Sequence, residues 1–326
     1  MSIVMAAAEG IVAAKNPSFL VKHGGHITIT KGWVKSLFSH MGYVKRKGSN
    51  AGKVTVAQFK EVQEVFLADI QAEVLMNDIH PQLIFNWDQT PIYYVPTGEW
   101  TMNREKEKII RIANSDDKRQ ITTVLAVTLT GEFLPPQLLY QGRTTRCHPA
   151  IEFPKDWDVW HSDNHWSNEE TMKRYIEKVI VPFVSNKRAE LKLTESHLAL
   201  AIFDSFKGQT TPAIYSLLQS HNIVAIRVPA NCTDKLQPLD VSLNKPVKHE
   251  MRKQFQMWYA EQVQQKIEDG VPIKEIKIAM PASIMKNLSA KWMMTTWDVL
   301  KCRPELATNG FQKSGILAAV NSVVNQ

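Results

Sequence analysis

Apolar positions follow two different spacings along this chain, and the change between them separates helical from sheet-forming segments. Across 55–77 the apolar residues recur every three or four positions, which predicts one long helix with an apolar face. From residue 81 onward, short apolar runs rich in β-branched residues are typical of buried strands. These runs predict strands at 83–87, 120–128, 132–140, 198–203 and 223–228, with another beginning near Tyr93. The pattern predicts an α/β fold, a mixed sheet flanked by helices.

Helical patterns also lie between and after the strand runs, and they predict helices at 169–183, 211–220, 245–268 and 281–300. The first of these would begin at Ser167 or Asn168. The segment 157–166 is interpreted as a loop. Its three tryptophans could stack on nucleic-acid bases, although a hydrophobic cluster under the loop is the preferred interpretation.

The first 47 residues predict short helices with a basic surface. Thr30 would cap a helix over 31–41, whose Trp33, Leu37 and Met41 share one face. Two short helices edged with lysine fit a helix-turn-helix DNA reader, and a small helical subdomain with a basic surface is the alternative. The candidate DNA-binding residues are Lys31, Lys35, Lys45, Arg46 and Lys47.

The charge distribution supports a basic N-terminal segment, because the net charge of +7 is concentrated at that end of the chain. The first 60 residues hold nine Lys or Arg and a single acid, Glu9, whereas the remainder is close to neutral. This distribution indicates an arm that binds a polyanion, with a solvated basic face as the alternative.

Other function classes receive no support from the composition. The chain has no apolar stretch long enough for a membrane span, and its first residues lack the pattern of a signal peptide. Three cysteines without disulfide or zinc spacing are typical of a reduced, intracellular protein, and the ten histidines show no metal-ligand spacing either.

Three aspartates stand out because each follows an apolar run: Asp88, Asp204 and Asp240. A buried carboxylate is costly unless something compensates its charge. If the strands that end at Asp88 and Asp204 are neighbours, and a helix near Asp240 returns to the same sheet edge, the three carboxylates would converge. Such oxygen-rich sites hold hard divalent cations, while capping of turns or helices is the alternative. Asp234 is a rival to Asp240 but lies in a predicted loop.

The runs around these aspartates are IFNWDQT, ALAIFDSFKGQTT and KLQPLDVSLNKPVK. They resemble the catalytic blocks of the DDE-superfamily endonucleases, most closely the pogo/Tigger/jerky transposases and centromere protein B-like proteins. Upstream, GGHITITKGWVKSLFSHMGYVKRK resembles the last part of that family's second helix-turn-helix. Downstream, NGFQKSGI is similar to its closing motif. Several ordered blocks at the right separations make this a specific match.

The resemblance implies an RNase H-like fold, with Asp88 and Asp204 on adjacent strands and Asp240 at a helix start. It implies that these residues are catalytic and that they hold two metal ions, Mg²⁺ or Mn²⁺. It also implies DNA as substrate and partner, metal-dependent phosphodiester cleavage with strand transfer as a further step, and a nuclear location. No membrane partner is expected, and a homodimer is left open.

The expected organisation is a partial helix-turn-helix at 1–47, a linker and connecting helix at 48–79, the DDE core at 80–250 and a helical region at 251–326. Many relatives have Asn directly after the second aspartate and a His a few residues later, where this chain has Ser205 and Phe206-Lys207-Gly208-Gln209. The printed chain also begins inside the DNA-binding region, so we expect fewer phosphate contacts than in those relatives. A domesticated or decayed relative that binds DNA without catalysis is the competing function.

Overall fold

The computed structural model divides the chain into two compact units, Met1–Gly52 and Lys53–Gln326. The structure describes residues 16–41, 56–96, 119–272 and 275–324, together with Ala8 and Val12. Within those residues no helix combines the length and the apolar character needed to cross a membrane. The larger unit carries all three aspartates that the sequence singles out.

The smaller unit contains a helix at the predicted place, α1 (Lys31–His40). Thr30 caps it as expected, because its hydroxyl accepts a hydrogen bond from the backbone N–H of Trp33 at 3.1 Å. Trp33 and Met41 of the predicted face are exposed, and Val34 is instead the buried residue of α1.

The candidate DNA-binding residues of this unit are only partly described. Lys31 and Lys35 lie exposed on α1. Lys45, Arg46 and Lys47 lie outside the described residues, as does the predicted linker at 48–53. The helix-turn-helix therefore stays a prediction.

The larger unit is built on a six-stranded mixed sheet. Its strands are β1 (Ile84–Tyr93), β2 (Gln120–Thr128), β3 (Phe133–Gln141), β4 (Asp158–Ser162), β5 (Ala199–Phe203) and β6 (Ile223–Arg227). They are ordered β4-β3-β2-β1-β5-β6. The pairs β1–β2 and β2–β3 are antiparallel, and the other three pairs are parallel. The predicted mixed sheet is confirmed.

Helices surround this sheet and fill the C-terminal region, as the apolar spacing predicts. They are α2 (Val56–Met76), α3 (Glu169–Tyr175), α4 (Val181–Glu190), α5 (Pro212–Ser220), α6 (Thr233–Leu236), α7 (Pro238–Ser242), α8 (Asn244–Glu268), α9 (Ala282–Lys301), α10 (Pro304–Lys313) and α11 (Ile316–Val324). A π-helical turn, Ile176–Ile180, joins α3 to α4. Asn168 caps α3 through its side chain, which accepts from the backbone N–H of Thr171 at 2.9 Å.

Two predictions about the strands are wrong, the end of the first strand and the loop at 157–166. β1 does not end near Asp88 but continues to Tyr93, because β2 pairs with it from Phe85 to Tyr93. Tyr93 accordingly ends a strand rather than beginning one. The segment 157–166 is not wholly a loop, since it contains β4, which pairs in parallel with β3. Long-range pairing provides the hydrogen-bond partners in both cases, and local spacing does not reveal it.

Candidate metal and catalytic centre

Asp88 lies in the middle of β1, close to the place where one neighbouring strand stops. β1 pairs with β5 only as far as Asn86, opposite Ile202, but continues beside β2. Asp88 is 5% exposed. It lines an open cleft together with Asp204 and Trp166. The end of β5 therefore leaves room beside the Asp88 carboxylate for other groups.

Asp204 directly follows β5 and is held by its own loop. Its Oδ1 accepts a hydrogen bond from the backbone N–H of Phe206 at 3.2 Å and another from the amide of Gln209. The Oε1 of Gln209 accepts from the indole N–H of Trp87 at 2.9 Å and from the amide of Gln89 at 3.2 Å. Gln209 is fully buried, and its hydrogen bonds to β1 and to Asp204 fix the Asp204 loop against that strand.

Asp240 lies in the first turn of α7, which two buried amides attach to β1. The Oδ1 of Asn86 accepts from the backbone N–H of Leu239 at 3.1 Å. The Nε2 of Gln237 donates to the backbone carbonyl of Trp87 at 2.8 Å. These contacts bring the segment that carries Asp240 to the strand that carries Asp88.

A close approach of α10 supports α7 from another side. A Cβ at Gly310 would lie 2.5 Å from the carbonyl oxygen of Pro238 and 2.6 Å from the hydroxyl oxygen of Ser242. A side chain at this position would push the two helices apart. Gly310, the first glycine of the NGFQKSGI run, therefore has a packing role beneath Asp240.

Asn244 joins two of the three carboxylates. Its Nδ2 donates to Oδ2 of Asp88 at 2.6 Å and to Oδ1 of Asp240 at 2.8 Å. The other amide atom, Oδ1, is buried and has no hydrogen-bond partner among the described residues. One amide group thus occupies the space between Asp88 and Asp240.

The electrostatics of the three aspartates reflect burial and mutual repulsion. Burial first, and then the charges of Asp240 and Asp204, raise the pKa of Asp88 to about 8, although Asn244 partly offsets this. Burial and the charge of Asp240 also raise the pKa of Asp204. Burial lowers the pKa of Lys248 on α8, against the opposing effects of Asp240 and Asp88. The ammonium group of Lys248 thus lies within electrostatic reach of the site.

The donor set fits a hard divalent cation. Asp88, Asp204 and Asp240 offer carboxylate oxygens only, and the unpartnered Oδ1 of Asn244 is a further oxygen of the kind that Mg²⁺ and Mn²⁺ accept. The three carboxylates do not crowd within 4.8 Å of one another; among the described residues, Cys147, His148 and His161 form such a group. A wider arrangement is compatible with two ions about 4 Å apart.

Sequence reasoning expected the three aspartates to converge at one sheet edge, and the structure brings them within electrostatic reach of one another. It assigned no role to Asn244, and none to Gln209 beyond its departure from the family pattern. A signal for Asn244 exists, since it stands four residues after Asp240 and therefore on the same helical face. Gln209 has no such local signal, because its partners Trp87 and Gln89 are more than a hundred residues away in the chain.

The other candidate residues, three tryptophans and Asp234, differ in their exposure to solvent. Trp157 is buried, and Trp160 is half-buried beneath the guanidinium of Arg174, 3.8 Å from its ring centroid. Trp166, in contrast, is 59% exposed at the cleft. The predicted hydrophobic cluster accounts for the first tryptophan only. Asp234, the rival to Asp240, is exposed on α6.

Comparison with known protein families gives one match over more than half of the chain. A family model described as "DDE superfamily endonuclease" matches residues 118–311. Among curated proteins, the human "Pogo transposable element with KRAB domain" is 24% identical over 232 residues, 71% of this chain and 35% of that protein. The human "Pogo transposable element with ZNF domain" is 20% identical over 269 residues, 82% of this chain and 17% of that protein. The chain spans about a third or less of the length of these relatives.

Two solved structures of similar fold are transposase complexes. A "pre-cleavage Mos1 transpososome" superposes with a TM-score of 0.51 at 13% identity, over 91% of this chain and 70% of that chain. A "Mos1 mariner paired end complex with Mn" has a TM-score of 0.50 at 13% identity, with the same coverage. At this identity the likeness concerns the fold, which is the RNase H-like fold expected from the sequence.

Proposed function

The chain belongs to the DDE superfamily endonucleases, and on that basis we propose that it is a transposon-derived protein that binds DNA and cleaves its phosphodiester bonds. In this proposal Asp88, Asp204 and Asp240 hold two Mg²⁺ or Mn²⁺ ions beside the end of β5. Water adds to the phosphorus, the bond to the 3′ oxygen breaks, and the 3′ oxygen leaves as a hydroxyl. The same 3′-hydroxyl is the group that would attack a target strand in strand transfer.

The observation that carries this proposal is the position of Asn244 between two mutually repelling carboxylates. Its amide nitrogen donates to one oxygen of Asp88 and one of Asp240, at 2.6 and 2.8 Å, and so orients both carboxylates toward a bound cation. A buried carboxylate whose pKa is raised to about 8 is expensive in a metal-free protein. Divalent ions compensate such charge, which supports a metal-binding role for the site.

Each residue has a stated task in the proposed reaction. When bound, the ions would activate the attacking water and stabilise the leaving oxygen. Gln209 keeps Asp204 in place through its links to Trp87 and Gln89. Lys248 would contribute positive charge beside the scissile phosphate.

The proposed DNA contacts come from two parts of the chain. Lys31 and Lys35 on α1 provide phosphate contacts, and Trp166 provides an exposed ring at the cleft on which a base can stack. A chromosomal DNA substrate corresponds to a nuclear location, which is part of the proposal and is tested by imaging the tagged chain in cells.

A plasmid-nicking assay tests the activity. Supercoiled plasmid is incubated with the purified chain in Mg²⁺, in Mn²⁺ and in EDTA, beside the variant Asp204→Ala. We expect nicking with either metal, none in EDTA, and none with the variant. A labelled oligonucleotide with a free 3′-hydroxyl, added with target plasmid, reports strand transfer.

The competing function, DNA binding without catalysis, has a different signature in the same assay. Retardation of DNA in a gel without nicking by the unmodified chain would replace the endonuclease with that function. Equal nicking by the unmodified chain and by Asp204→Ala would point to a contaminating nuclease.

A further inference from the structure

A second cluster of candidate metal ligands lies at the β4 edge of the sheet, away from the three aspartates. Ligand atoms of Cys147, His148 and His161 all lie within 4.8 Å of one another. The two histidines are in contact, with Nε2 of His148 3.0 Å from Nδ1 of His161. Cysteine and histidine are the ligands that Zn²⁺ prefers, unlike the oxygen-only set around Asp88. The two sites therefore differ in chemistry as well as in place.

The fold brings these residues together from separate segments. Cys147 ends a 3-10 turn, Thr145–Cys147, which follows β3, and His148 is the next residue. His161 lies on β4, the edge strand of the sheet. β2 and β3 separate β4 from β1, which places His161 three strand spacings, or about 14 Å, from the strand of Asp88. The two sites are therefore too far apart to share one ion.

The separation of the two histidine nitrogens is close to that in a tetrahedral zinc site. At Zn–N distances of about 2.0–2.1 Å, two tetrahedral nitrogen ligands lie about 3.3–3.4 Å apart. The observed separation of 3.0 Å therefore needs a few tenths of an ångström of adjustment. A contact between two imidazole nitrogens requires one shared proton, and a metal ion replaces that proton when it binds.

Neighbouring groups already hold the ligands in orientation. The ring of His161 stacks on Trp160 at a centroid distance of 4.7 Å. A Cβ at Gly142 would lie 2.7 Å from the sulfur of Cys147, so this glycine lets the β3 end pack closely on the thiol. Lys286 donates to the backbone carbonyl of Cys147 at 2.8 Å and fixes the turn against α9. Preformed orientation of this kind lowers the cost of binding an ion.

An unpartnered hydroxyl beside the cluster is the second observation. Tyr140 is fully buried on β3, and its hydroxyl has no hydrogen-bond partner among the described residues. Its ring lies 5.8 Å from that of His148. A buried hydroxyl without a partner is costly, and a water molecule bound to a metal ion would supply the missing hydrogen bond.

We propose that Cys147, His148 and His161 bind a Zn²⁺ ion, with water in the fourth position hydrogen-bonded to Tyr140. The ion ties the turn after β3 to the edge strand β4 and thereby stabilises the open edge of the sheet. This assignment does not depend on nuclease activity, and its failure would leave the proposed function of the aspartates untouched.

Binding is measured on the chain that carries Asp204→Ala, which removes a ligand from the carboxylate site. Competition with a chromophoric chelator is expected to give one Zn²⁺ per chain. Cys147→Ser and His161→Gln should each weaken Zn²⁺ binding about a hundredfold or more, because lost contacts to the ligands alone cost 10- to 100-fold. Tyr140→Phe should weaken it about tenfold. Cys302→Ser, at an exposed cysteine outside the cluster, is the matched control and should bind as before.

Cobalt provides a test that needs no variant of the ligands. Co²⁺ in the site should show a thiolate-to-metal charge-transfer band and the visible bands of tetrahedral geometry, both lost on adding Zn²⁺. A spectrum without the thiolate band, or Zn²⁺ binding that survives both Cys147→Ser and His161→Gln, overturns the assignment. If a ligand variant does not fold, the cobalt spectrum of the chain with all three ligands still decides the question.

Discussion

Asp88 and Asp158 are both buried aspartates on the same sheet, yet their surroundings differ in charge. Asp158 on β4 accepts hydrogen bonds from Arg174 at 2.8 Å and from Gln137 at 2.7 Å, and Lys178 lies 3.4 Å away. Asp88 on β1 receives the amide of Asn244 and faces two further carboxylates. One carboxylate is in contact with cationic side chains, whereas the other is bonded to a neutral amide and faces two further carboxylates.

This difference distinguishes a structural carboxylate from one whose buried charge a bound cation must compensate. A buried charge with built-in partners contributes to the fold and needs no ligand. A buried charge among like charges costs stability in the free protein and gains it when a cation arrives. Proteins retain such arrangements at functional sites, where stability is given up for activity.

The largest expected effect separates the two aspartates by activity. Asp88→Asn should reduce metal-dependent nicking by at least about a thousandfold, equivalent to ~4 kcal/mol of lost transition-state stabilisation. Asp158→Asn should nick at a rate within a few-fold of the unmodified chain, because it lies on the edge strand away from the cleft. Rates of plasmid nicking in Mg²⁺, measured on variants with unchanged circular dichroism, check this. Comparable losses in both variants would contradict the distinction.

The second effect concerns stability in the absence of metal. The pKa of Asp88 is about 8 in the folded chain and about 3.8 as the ordinary value, so the folded state binds this proton more tightly than the unfolded state. Its contribution to stability is fully present below about pH 4 and is lost as the pH rises through 8. Asp88→Asn should therefore raise Tm in EDTA at pH 8 by several degrees and flatten its decrease between pH 5 and 8.

Asp158→Asn, in contrast, is expected to lower the stability of the folded chain. It leaves Arg174 and Lys178 without their carboxylate, which should lower the free energy of unfolding by about 2 kcal/mol. Thermal unfolding in EDTA, with and without added Mg²⁺, compares the two variants. A destabilising Asp88→Asn, or Mg²⁺ that stabilises Asp88→Asn as much as the unmodified chain, would show that Asp88 is structural.

A smaller effect is expected from the amide that joins the carboxylates. Asn244→Ala should weaken Mn²⁺ binding by 10- to 100-fold, because groups that orient metal ligands have effects of that size. Gln254→Ala, on the same helix α8 but bonded to Glu250, is the control and should not change Mn²⁺ affinity. Isothermal titration with Mn²⁺ measures both. Unchanged affinity in Asn244→Ala would mean that the amide only fills space.

The smallest effect concerns DNA at the cleft. Trp166→Ala should weaken binding of single-stranded DNA by about 1 kcal/mol, or roughly fivefold, because a stacked base is lost. Tyr259→Ala removes an aromatic ring that is 40% exposed on α8 and serves as the control. Fluorescence anisotropy with a labelled oligonucleotide at fixed salt compares the two. Equal losses would assign the effect to general surface changes.

Much of the fold and part of the site could be predicted from the sequence. β2 was predicted with its observed bounds, and Thr30 was predicted as a cap, because apolar spacing and capping are local properties. The aspartates stand out because each follows an apolar run, and the resemblance of these runs to family blocks strengthens the assignment. The length of β1 and the existence of β4 were missed, since both depend on strands distant in sequence.

Local spacing in the chain is enough to predict the type of most elements, and the three aspartates and the uneven charge are visible in the sequence alone. The contacts between distant groups follow from the fold: Asn244 bonds Asp88 across 156 positions of chain, and His161 meets Cys147 and His148 through the pairing of β4. Secondary structure depends on neighbours within one or two turns, whereas the charge environment of a carboxylate depends on which distant strands the sheet places side by side.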